Sequence, residues 1–352
     1  MGHSLLVLHL IHSLDRQTGG VCSAVELLHD AMVEAGIQSR ISDDPKLAVK
    51  SSKEWVIAHG LWQWPGRVAR SLGNPYLVYP HGMLDPWFKK TYPFKHFKKL
   101  LYWWAVQGKI LREAHAVCFT TQEEQMLAQN TFFPYHAKEV VTGLGVQAPP
   151  AETDLKKETY DQKFPQLKGR KILLYLGRFH PKKGVDELIR SWKKRKNKGD
   201  EMLVLAGPME KQDSWVQSLL NLAGEDSSIV WTGMLQGGEK WCALRSADAM
   251  ILPSHQENYG MVVAEACSVG TPVFITNKVN LYREILEYDA GIVEDDTQAG
   301  VDNLVFGWLN EKHQNMRKNA VKCFHEKLHI SNTAKKIMDL FNEIEETSPS
   351  PE

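Results

Sequence analysis

The sequence predicts an α/β protein of two doubly wound domains, each with a parallel sheet covered by helices on both faces. Three observations support this fold class. The chain has 352 residues, strand-like apolar runs alternate with segments of helical period, and the alternation lapses once near the middle. Such a length is comfortable for two domains of roughly 150 to 175 residues each. Strands that alternate with helices form parallel sheets, so each half is expected to bury its own core.

The first half, residues 1–150, alternates four predicted strands with four predicted helices. Short apolar runs predict the strands, and apolar positions at helical spacing predict the helices. The strands are expected at 5–11, 55–58, 76–79 and 116–120, and the helices at 21–34, 65–72, 97–107 and 122–129. A loop at 13–20 leads from the first strand into the first helix.

The second half, residues 169–328, repeats this alternation after a polar stretch at 151–168 that we interpret as a linker. Its strands are expected at 172–176, 202–206, 229–232, 249–252 and 272–275, and its helices at 185–194, 215–223, 239–245 and 261–269. Only helices follow the apolar run at 291–293. We expect a C-terminal helix at 329–346 to pack back toward the first domain, and a disordered tail at 347–352.

Composition indicates an intracellular globular protein without a nucleic-acid partner. Lys plus Arg and Asp plus Glu each total 42, so no global field favours nucleic acid. The five cysteines include no CxxC pair, which is typical of reduced thiols. The apolar run at 5–11 lacks the flanks of a signal peptide, and no window reaches the about 18 to 20 apolar residues of a membrane span. We therefore expect a cytoplasmic protein.

In doubly wound domains, ligands bind beyond the carboxyl ends of the strands, where loops turn into helices. One such loop, residues 177–184, reads Gly-Arg-Phe-His-Pro-Lys-Lys-Gly. Arg178 and Lys183 can converge on one phosphate-sized anion, the arginine as a directional fork and the lysine as a point charge. Two solvated cations are the alternative, but a helix start disfavours cations because the helix dipole is positive there. The pattern therefore favours an anionic ligand.

A second such loop begins at Pro253 and carries two carboxylates eight residues apart, Glu257 and Glu265. Glu257 lies in the loop itself. Glu265 lies in the apolar helix that follows, where a buried carboxylate needs a partner such as a pair of sugar or ribose hydroxyls. The loop amides at 259–262 would face a diphosphate, as the helix dipole prefers.

The first half has weaker signals at its strand ends. Gly19 and Gly20 would let backbone amides approach an anion at the first helix, although a glycine pair is more often a tight turn. His81 follows the predicted strand at 76–79, and His59 follows the strand at 55–58. A single histidine is more often a structural hydrogen-bonding residue than a catalyst.

Taken in order, these segments resemble the family-4 retaining glycosyltransferases, which have the GT-B fold of two Rossmann-like domains facing across a cleft. The resemblance covers nearly the whole chain. It is strongest at 171–293, where G-R-x4-K-G, A-D-A-M-I-L-P-S, E-x7-E and G-T-P-V follow in the family's order and spacing. H-G-L-W at 59–62 and P-H-G-M-L-D-P-W at 80–87 are similar to a subgroup from bacterial exopolysaccharide and lipopolysaccharide pathways.

The resemblance implies a role for each matching residue. Arg178 and Lys183 would bind the donor diphosphate. Glu265 would bind the donor ribose, and Glu257 would contact the transferring sugar. His81 would lie near that sugar, which makes His81 and Glu257 the candidate catalytic residues. The other candidate substrate-binding residues are Gly19, Gly20, Met234, Asn258, Tyr259, Gly260, Met261 and Val262.

The resemblance also implies the reaction. A hexose-type sugar would move from a UDP- or GDP-sugar to a saccharide or polyprenyl-linked acceptor on the side of the first domain, with retention at the anomeric carbon. We expect no cofactor and no metal, because the sequence has neither a DxD pair nor a His/Cys cluster with metal spacing. Arg178, Lys183 and helix N-termini would instead neutralise the leaving diphosphate.

Two other functions are considered, and one segment of the chain departs from the family pattern. A non-catalytic partner subunit would bind the nucleotide sugar without turnover. A two-domain NAD-dependent oxidoreductase would need a glycine fingerprint that opens a helix, which the chain lacks. Where the family reads P-N-G-V-D, this chain has G-L-G-V-Q at 143–147, and we expect no ligand contact there.

Residues 87–109 interleave six lysines with aromatic residues. Such a segment could lie on an anionic membrane surface, which would place the protein on the inner face of the membrane. The alternative is a core helix whose lysines face water. The sequence leaves both open.

Overall fold

A computed structural model of the chain describes residues 5–15, 20–48, 54–151, 157–195, 199–210, 212–310 and 314–347. The chain forms two compact units, one of Met1–Gln147 with Leu328–Glu352, and one of Ala148–Lys327. Each unit contains one six-stranded sheet in which all strand pairs are parallel. The predicted α/β class with two parallel sheets is confirmed.

The first unit is built on the sheet order β2-β1-β3-β4-β5-β6. Its strands are β1 (Leu6–Leu10), β2 (Gln38–Ser42), β3 (Glu54–His59), β4 (Tyr76–Tyr79), β5 (Ala116–Phe119) and β6 (Glu139–Val141). Its first helices are α1 (Gly20–Glu34), α2 (Trp64–Leu72), α3 (Trp87–Thr91), α4 (Pro93–Tyr102), α5 (Gly108–Glu113) and α6 (Gln122–Ala128), with a π-helical turn at Trp103–Gln107.

The second unit is built on the order β12-β11-β10-β7-β8-β9. Its strands are β7 (Lys171–Leu176), β8 (Glu201–Ala206), β9 (Ile229–Gly233), β10 (Ala249–Leu252), β11 (Val273–Thr276) and β12 (Gly291–Glu294). Its helices are α7 (Lys157–Lys163), α8 (Val185–Lys193), α9 (Ser214–Ala223), α10 (Gly237–Ser246), α11 (Met261–Ser268), α12 (Tyr282–Tyr288), α13 (Gln298–Asn310) and α14 (Gln314–Cys323).

The C-terminal helix α15 (Ile330–Thr347) belongs to the first unit. Its buried face joins the core on one side of the first sheet, where Phe341 stacks on Trp55 with ring centroids 4.3 Å apart. Residues 348–352, where we expect a disordered tail, lie outside the described residues.

The segment interpreted as a linker, 151–168, contributes structure to the second unit from residue 157 onward. Tyr160, Phe164 and Leu167 are buried there, and the rings of Tyr160 and Phe164 lie 5.1 Å apart. The polar composition conceals this packing, because a short helix against a domain needs apolar side chains on one face only. Residues 152–156 lie outside the described part.

Each sheet has one point at which the strand order reverses. In the second unit the chain runs outward from β7 to β9 and then returns to β10 on the other side of β7. In the first unit the reversal lies between β1 and β3. Ligands bind at such points, beyond the carboxyl ends of the two strands. The sheet orders therefore direct attention to the loops after β7 and β10 and after β1 and β3.

All five cysteines are buried free thiols. None of the helices in the described ranges combines the length and the apolarity that crossing a bilayer requires.

Candidate functional site

Two loops meet at the carboxyl ends of β7 and β10. The amide of His255, in the loop after β10, donates to the carbonyl oxygen of Lys182, in the loop after β7, at 2.8 Å. Gly184 has a φ of 66°, and a Cβ atom there would lie 2.1 Å from the carbonyl oxygen of Pro253. Only glycine permits both this backbone conformation and this close approach. The two loops predicted from sequence to bind one ligand are thus in direct contact.

An ion pair joins the two loops: the ammonium group of Lys183 contacts the carboxylate of Glu257. The two side chains are 11% and 24% exposed, respectively. The loop after β11 fixes the backbone of Glu257, whose amide donates to Lys278 O at 2.9 Å and whose carbonyl oxygen accepts from Asn280 N at 3.0 Å. The carboxylate is therefore held in place independently of Lys183.

The two loops carry more positive than negative charge. Residues 177–184 include three cations and no acid, and residues 253–260 include one acid, Glu257. Burial, with the charges of Lys182 and Arg178, lowers the pKa of Lys183 to about 7, although Glu257 lies against its ammonium group. Arg178 is exposed, and its guanidinium makes no ion pair with any described residue. A bound anion would relieve this excess of positive charge.

The structure corrects one step of the sequence argument. Lys183 ends a single 3-10 turn, Pro181–Lys183, whereas α8 begins at Val185 and carries its own acids, Asp186 and Glu187, in the first turn. These acids already complement the dipole of α8. The argument for an anion therefore rests on the cation cluster rather than on the helix start.

Glu265, the second carboxylate, forms an ion pair with Lys240 of α10 at 2.7 Å. Both side chains are partly buried, so the carboxylate has the partner that its apolar helix requires. Nothing in the sequence singles out Lys240. Its proximity depends on α10 and α11 being neighbours in the second unit.

The N-terminus of α11 faces the same loops. Tyr259 is buried, Gly260 caps the helix with a φ of 77°, and Met261 and Val262 form its first turn. A Cβ atom on Gly260 would lie 3.4 Å from the Cγ atom of Glu257. The first amides of a helix have no intrahelical acceptor and suit an anion. Gly260 therefore lies beside Glu257, and the first turn of α11 begins directly after it.

The remaining candidates are more dispersed. Asn258 accepts a bond from Asn280 Nδ2 at 3.5 Å. Met234 is exposed just beyond β9. Gly20 is the first residue of α1, and Gly19 lies outside the described residues. Among the described residues of the second unit, no contact joins Met234 to the ion pair of Lys183 and Glu257, and Gly20 belongs to the first unit.

The G-T-P-V motif has a structural role. Gly270 adopts a φ of 74° at the end of α11, and the hydroxyl of Thr271 donates to Leu244 O at 2.6 Å. The motif turns the chain from α11 into β11, so it supports the site without contacting it.

In the first unit, three histidines at the carboxyl ends of neighbouring strands form one hydrogen-bonded chain. His9 Nδ1 lies 3.0 Å from His59 Nε2, and His59 Nδ1 lies 3.0 Å from His81 Nε2. His9 lies near the end of β1, His59 ends β3, and His81 lies just beyond β4. The sequence points to His59 and His81 separately and does not indicate His9 at all. We name these residues the histidine chain.

Burial keeps the histidine chain neutral. It lowers the pKa of His81 to about 4 and, together with the charge of His29, that of His9 to about 3. Burial and the two flanking rings hold the pKa of His59 well below its usual value. At neutral pH each ring therefore carries one N–H and one lone pair.

A buried carboxylate holds the loop that carries His81. Glu124 of α6 accepts from Gly82 N at 2.5 Å and from Thr120 N at 2.8 Å. His81 and Gly82 both have positive φ angles, 50° and 76°. A left-handed histidine costs about 1 to 3 kcal/mol and persists only where neighbours fix it. Glu124 and the histidine chain provide that support.

Within the described ranges, no group of three or more His, Cys, Asp or Glu side chains is arranged to hold a metal ion.

Comparison with known proteins identifies part of the chain. Residues 156–322 match the family model described as Glycosyl transferases group 1. An uncharacterized glycosyltransferase of Methanocaldococcus jannaschii is 28% identical over 177 residues, which cover 49% of this chain and 44% of that protein. A D-inositol 3-phosphate glycosyltransferase of an Arthrobacter strain is 30% identical over 135 residues, covering 37% and 32%. The chain thus spans less than half the length of these curated relatives.

Solved structures match over nearly the full length. Sucrose-phosphate synthase from Thermosynechococcus elongatus has a TM-score of 0.74 at 16% identity, covering 97% of this chain and 100% of that one. Anabaena HepE, solved in complex with UDP and glucose, has a TM-score of 0.72 at 14% identity, covering 96% and 100%. At these identities the likeness establishes the fold, which is GT-B. The Lys183–Glu257 pair lies within residues 156–322, the part of the chain that matches the glycosyl transferases group 1 model.

Proposed function

We propose that the chain is a retaining glycosyltransferase that moves a hexose-type sugar from a UDP- or GDP-sugar to a saccharide or lipid-linked saccharide acceptor. The observation that carries this proposal is the pair of touching loops in the second unit, in which one carboxylate accompanies three cations. The family match of residues 156–322 supports the reaction class. We further propose that the enzyme acts in the cytoplasm, in the synthesis of bacterial surface polysaccharide.

A bound diphosphate would replace Glu257 as the partner of Lys183. The exposed guanidinium of Arg178 would close on the same anion as a fork. Because an anion stabilises the protonated ammonium, binding would raise the pKa of Lys183 again. Glu257 would then be free to accept hydrogen bonds from hydroxyls of the transferring sugar. The two members of this ion pair would thus supply both donor contacts.

The proposed chemistry needs no protein nucleophile. The bond between the anomeric carbon and the phosphate oxygen breaks, and a bond from the acceptor oxygen forms on the same face of the sugar. The acceptor proton passes to the departing phosphate oxygen. Lys183, Arg178 and the N-terminus of α11 would stabilise the negative charge that grows on the diphosphate, which is the task that a divalent ion performs elsewhere. We therefore propose a metal-independent reaction.

The ribose of the donor would bind at Glu265. Its carboxylate has one oxygen beyond the one that contacts Lys240, and ribose hydroxyls can donate to that oxygen. Lys240 would orient the carboxylate. For His81 we propose a hydrogen bond to a substrate hydroxyl.

A panel of nucleotide sugars tests this proposal. A donor at about 100 times its Kd stabilises the folded state by about 2.7 kcal/mol, which a thermal-shift assay detects readily. We expect a UDP- or GDP-hexose to raise the melting temperature, and a mixture of acceptors to release the nucleoside diphosphate. Stabilisation without release under any acceptor would favour the non-catalytic partner subunit, whereas stabilisation by NADH alone would favour an oxidoreductase.

The surface of α4 supports a further proposal, which is that the enzyme docks on an anionic bilayer. None of the ten residues of α4 is buried. The segment still packs on the core of the first unit, through Leu100 and the buried Trp103, so the proposal concerns only its outer side. Phe94, Phe97, Leu101 and Trp104 are 88%, 61%, 52% and 54% exposed. Their spacing places them on one side of the helix and its continuation. We name these four side chains the exposed stripe.

The lysines around the exposed stripe indicate which kind of surface it would contact. Residues 87–109 contain six lysines and no acidic residue, and Lys95 and Lys98 are exposed beside the stripe. Lys99 instead packs over the rings of Phe88 and Trp62, at 4.0 and 4.7 Å from their centroids. Apolar side chains flanked by lysines are suited to a membrane interface with anionic lipids.

Vesicle sedimentation tests the bilayer proposal. Vesicles containing phosphatidylserine should bind the protein at low salt and release it at high salt, because screening weakens exposed charge contacts. Lys95→Glu/Lys98→Glu and Phe94→Ser/Phe97→Ser should each weaken binding, whereas Lys46→Glu, an exposed lysine elsewhere in the first unit, should not. Equal binding by all variants, or self-association through the stripe without vesicle binding, would contradict it.

A further inference from the structure

The histidine chain contains two hydrogen bonds and three neutral rings, which restricts where its protons can be. Each bond, His9 to His59 and His59 to His81, uses one N–H and one lone pair. Three neutral imidazoles carry three N–H groups in total. Two of these protons occupy the two bonds, so the third must lie at one end of the chain. That end is either Nε2 of His9 or Nδ1 of His81.

The two arrangements differ in every ring. If the third proton is on His81, all three rings carry their proton on Nδ1 and accept on Nε2. If it is on His9, all three carry it on Nε2. No ring can change its tautomer alone without breaking a hydrogen bond or creating a clash of two N–H groups. The histidine chain therefore behaves as one unit.

The surroundings of His9 select between these arrangements. His9 is fully buried, and its Nε2 has no hydrogen-bond partner among the described residues. His29 meets it edge to face, with ring centroids 6.3 Å apart, and directs its own Nδ1 to Ser39 at 2.8 Å. In proteins a buried N–H without an acceptor is rarer than a buried acceptor whose lone pairs are not fully used. The proton is thus disfavoured at His9.

The other end of the chain suits a proton. His81 is partly exposed, and its Nδ1 makes no hydrogen bond to a described residue. Tyr79 stacks on both His59 and His81, at 5.5 Å each, and its hydroxyl pairs with Thr142 at 2.6 Å. These contacts fix the ring planes and leave Nδ1 of His81 as the one outward-facing nitrogen of the chain.

We propose that His59 and His9 are positioning residues that hold His81 in the Nδ1–H tautomer, so that His81 donates a hydrogen bond to a substrate oxygen and does not act as a base. The assignment of a substrate to His81 rests on the proposed function. The tautomer itself does not, since it follows from the proton count and from the burial of His9.

Nitrogen-15 NMR of the full chain, with labelled histidine, tests the tautomer without any substrate. At neutral pH we expect three histidines with protonated Nδ1 and unprotonated Nε2, assigned by single His→Asn variants. A proton on Nε2 of His81 would overturn the proposal, whether or not the protein transfers sugar.

Two substitutions at His59 test whether its hydrogen bond to His81 supports sugar transfer. In His59→Asn the side-chain amide can still donate from the position of Nδ1, so the tautomer of His81 and the transfer rate should be largely retained. In His59→Phe the ring shape remains but the donor is lost, and we expect kcat to fall about tenfold with little change in donor KM. His136→Asn, at an exposed histidine, serves as the control.

These experiments distinguish an error in the role of His59 from an error in the proposed function. Equal loss in His59→Asn and His59→Phe, with melting temperatures unchanged, would contradict a donor role for His59. If no variant and no wild-type sample transfers sugar, the proposed function fails, and the NMR result still decides the tautomer.

Discussion

At the scale of single residues, Lys183 contacts Glu257 in the structure, and we propose that it contacts the donor diphosphate during the reaction. Substitution should therefore affect both activity and stability. Loss of one partner of a buried charge pair typically costs about 2 to 5 kcal/mol. At about 1.4 kcal/mol per decade, Lys183→Ala should lose roughly 30- to 3,000-fold in kcat/KM.

The stability of Lys183→Ala should also fall, by about 1 to 3 kcal/mol, because Glu257 is left partly buried without its partner. The double variant Lys183→Ala/Glu257→Gln should recover most of this stability and none of the activity. Donor kinetics and urea unfolding should be measured for the wild type, Lys183→Ala and the double variant, so that kcat/KM and the free energy of unfolding can be compared. Wild-type turnover in Lys183→Ala would show that the phosphate site is wrongly placed.

A second prediction at this scale concerns the dependence of the free energy of unfolding on acidic pH. The pKa values of His9 and His81, about 3 and about 4, lie below the unfolded value of about 6.5. At pH values between the folded and the unfolded pKa of each histidine, the unfolded state binds more protons than the folded state. The free energy of unfolding therefore falls as the pH falls. The contribution is complete above about pH 6.5 and is lost progressively toward pH 4.

Urea unfolding from pH 7.5 to 4.5 measures this slope. His9→Phe should flatten it relative to wild type, because the variant has one fewer buried imidazole, while His136→Asn should leave it unchanged. An identical slope in His9→Phe and wild type would contradict a buried neutral His9.

At the scale of elements, the two loops of the second unit could be predicted because each motif follows a strand directly and carries its own chemistry. What could not be predicted was which loops touch. Lys183 and Glu257 are 74 residues apart, and they meet because β10 returns beside β7. The same limit applies to Lys240 and His9, whose importance depends on neighbouring helices and strands.

Two strands at the edges of the first sheet could not be predicted from the sequence. Neither β2 nor β6 was predicted. β2 has only Ser42 buried, and β6 has three partly buried residues. A strand at the border of a sheet need not form a continuous apolar run, so its pattern resembles that of a loop.

The contact of the two loops also leads to a prediction. Gly184→Ala should disturb both, because its Cβ atom would lie 2.1 Å from Pro253 O in addition to the strain of a positive φ. Gly237 provides a matched control, since it also has a positive φ, 51°, but no atom near the added Cβ. We expect Gly184→Ala to lower the melting temperature more than Gly237→Ala and to abolish donor stabilisation. Equal effects of the two substitutions would show that only backbone strain matters.

At the scale of the whole molecule, the two units carry different chemistry at their strand ends. The second unit has a cluster of cations, and the first has a chain of neutral imidazoles. The chain as a whole has no net formal charge, so the attraction for an anionic donor is local to the loops after β7 and β10. This local excess of positive charge is the reason that we propose a reaction without a divalent ion.

Metal independence is testable on the intact protein. Turnover of the preferred nucleotide sugar should persist in saturating EDTA, because Lys183, Arg178 and the N-terminus of α11 would stabilise the leaving group. Activity that disappears on chelation and returns with magnesium or manganese would contradict this part of the account.

We propose above all that the chain transfers a sugar from a nucleotide-diphosphate donor with retention. The most direct measurement is NMR of the product formed from an α-linked UDP- or GDP-hexose and an acceptor, with the released nucleoside diphosphate quantified in the same tube. We expect one α-linked product per nucleoside diphosphate released, and product formation with Lys183→Ala that is slower by at least roughly 30-fold. A β-linked product, or no transfer from any nucleotide sugar that stabilises the fold, would contradict it.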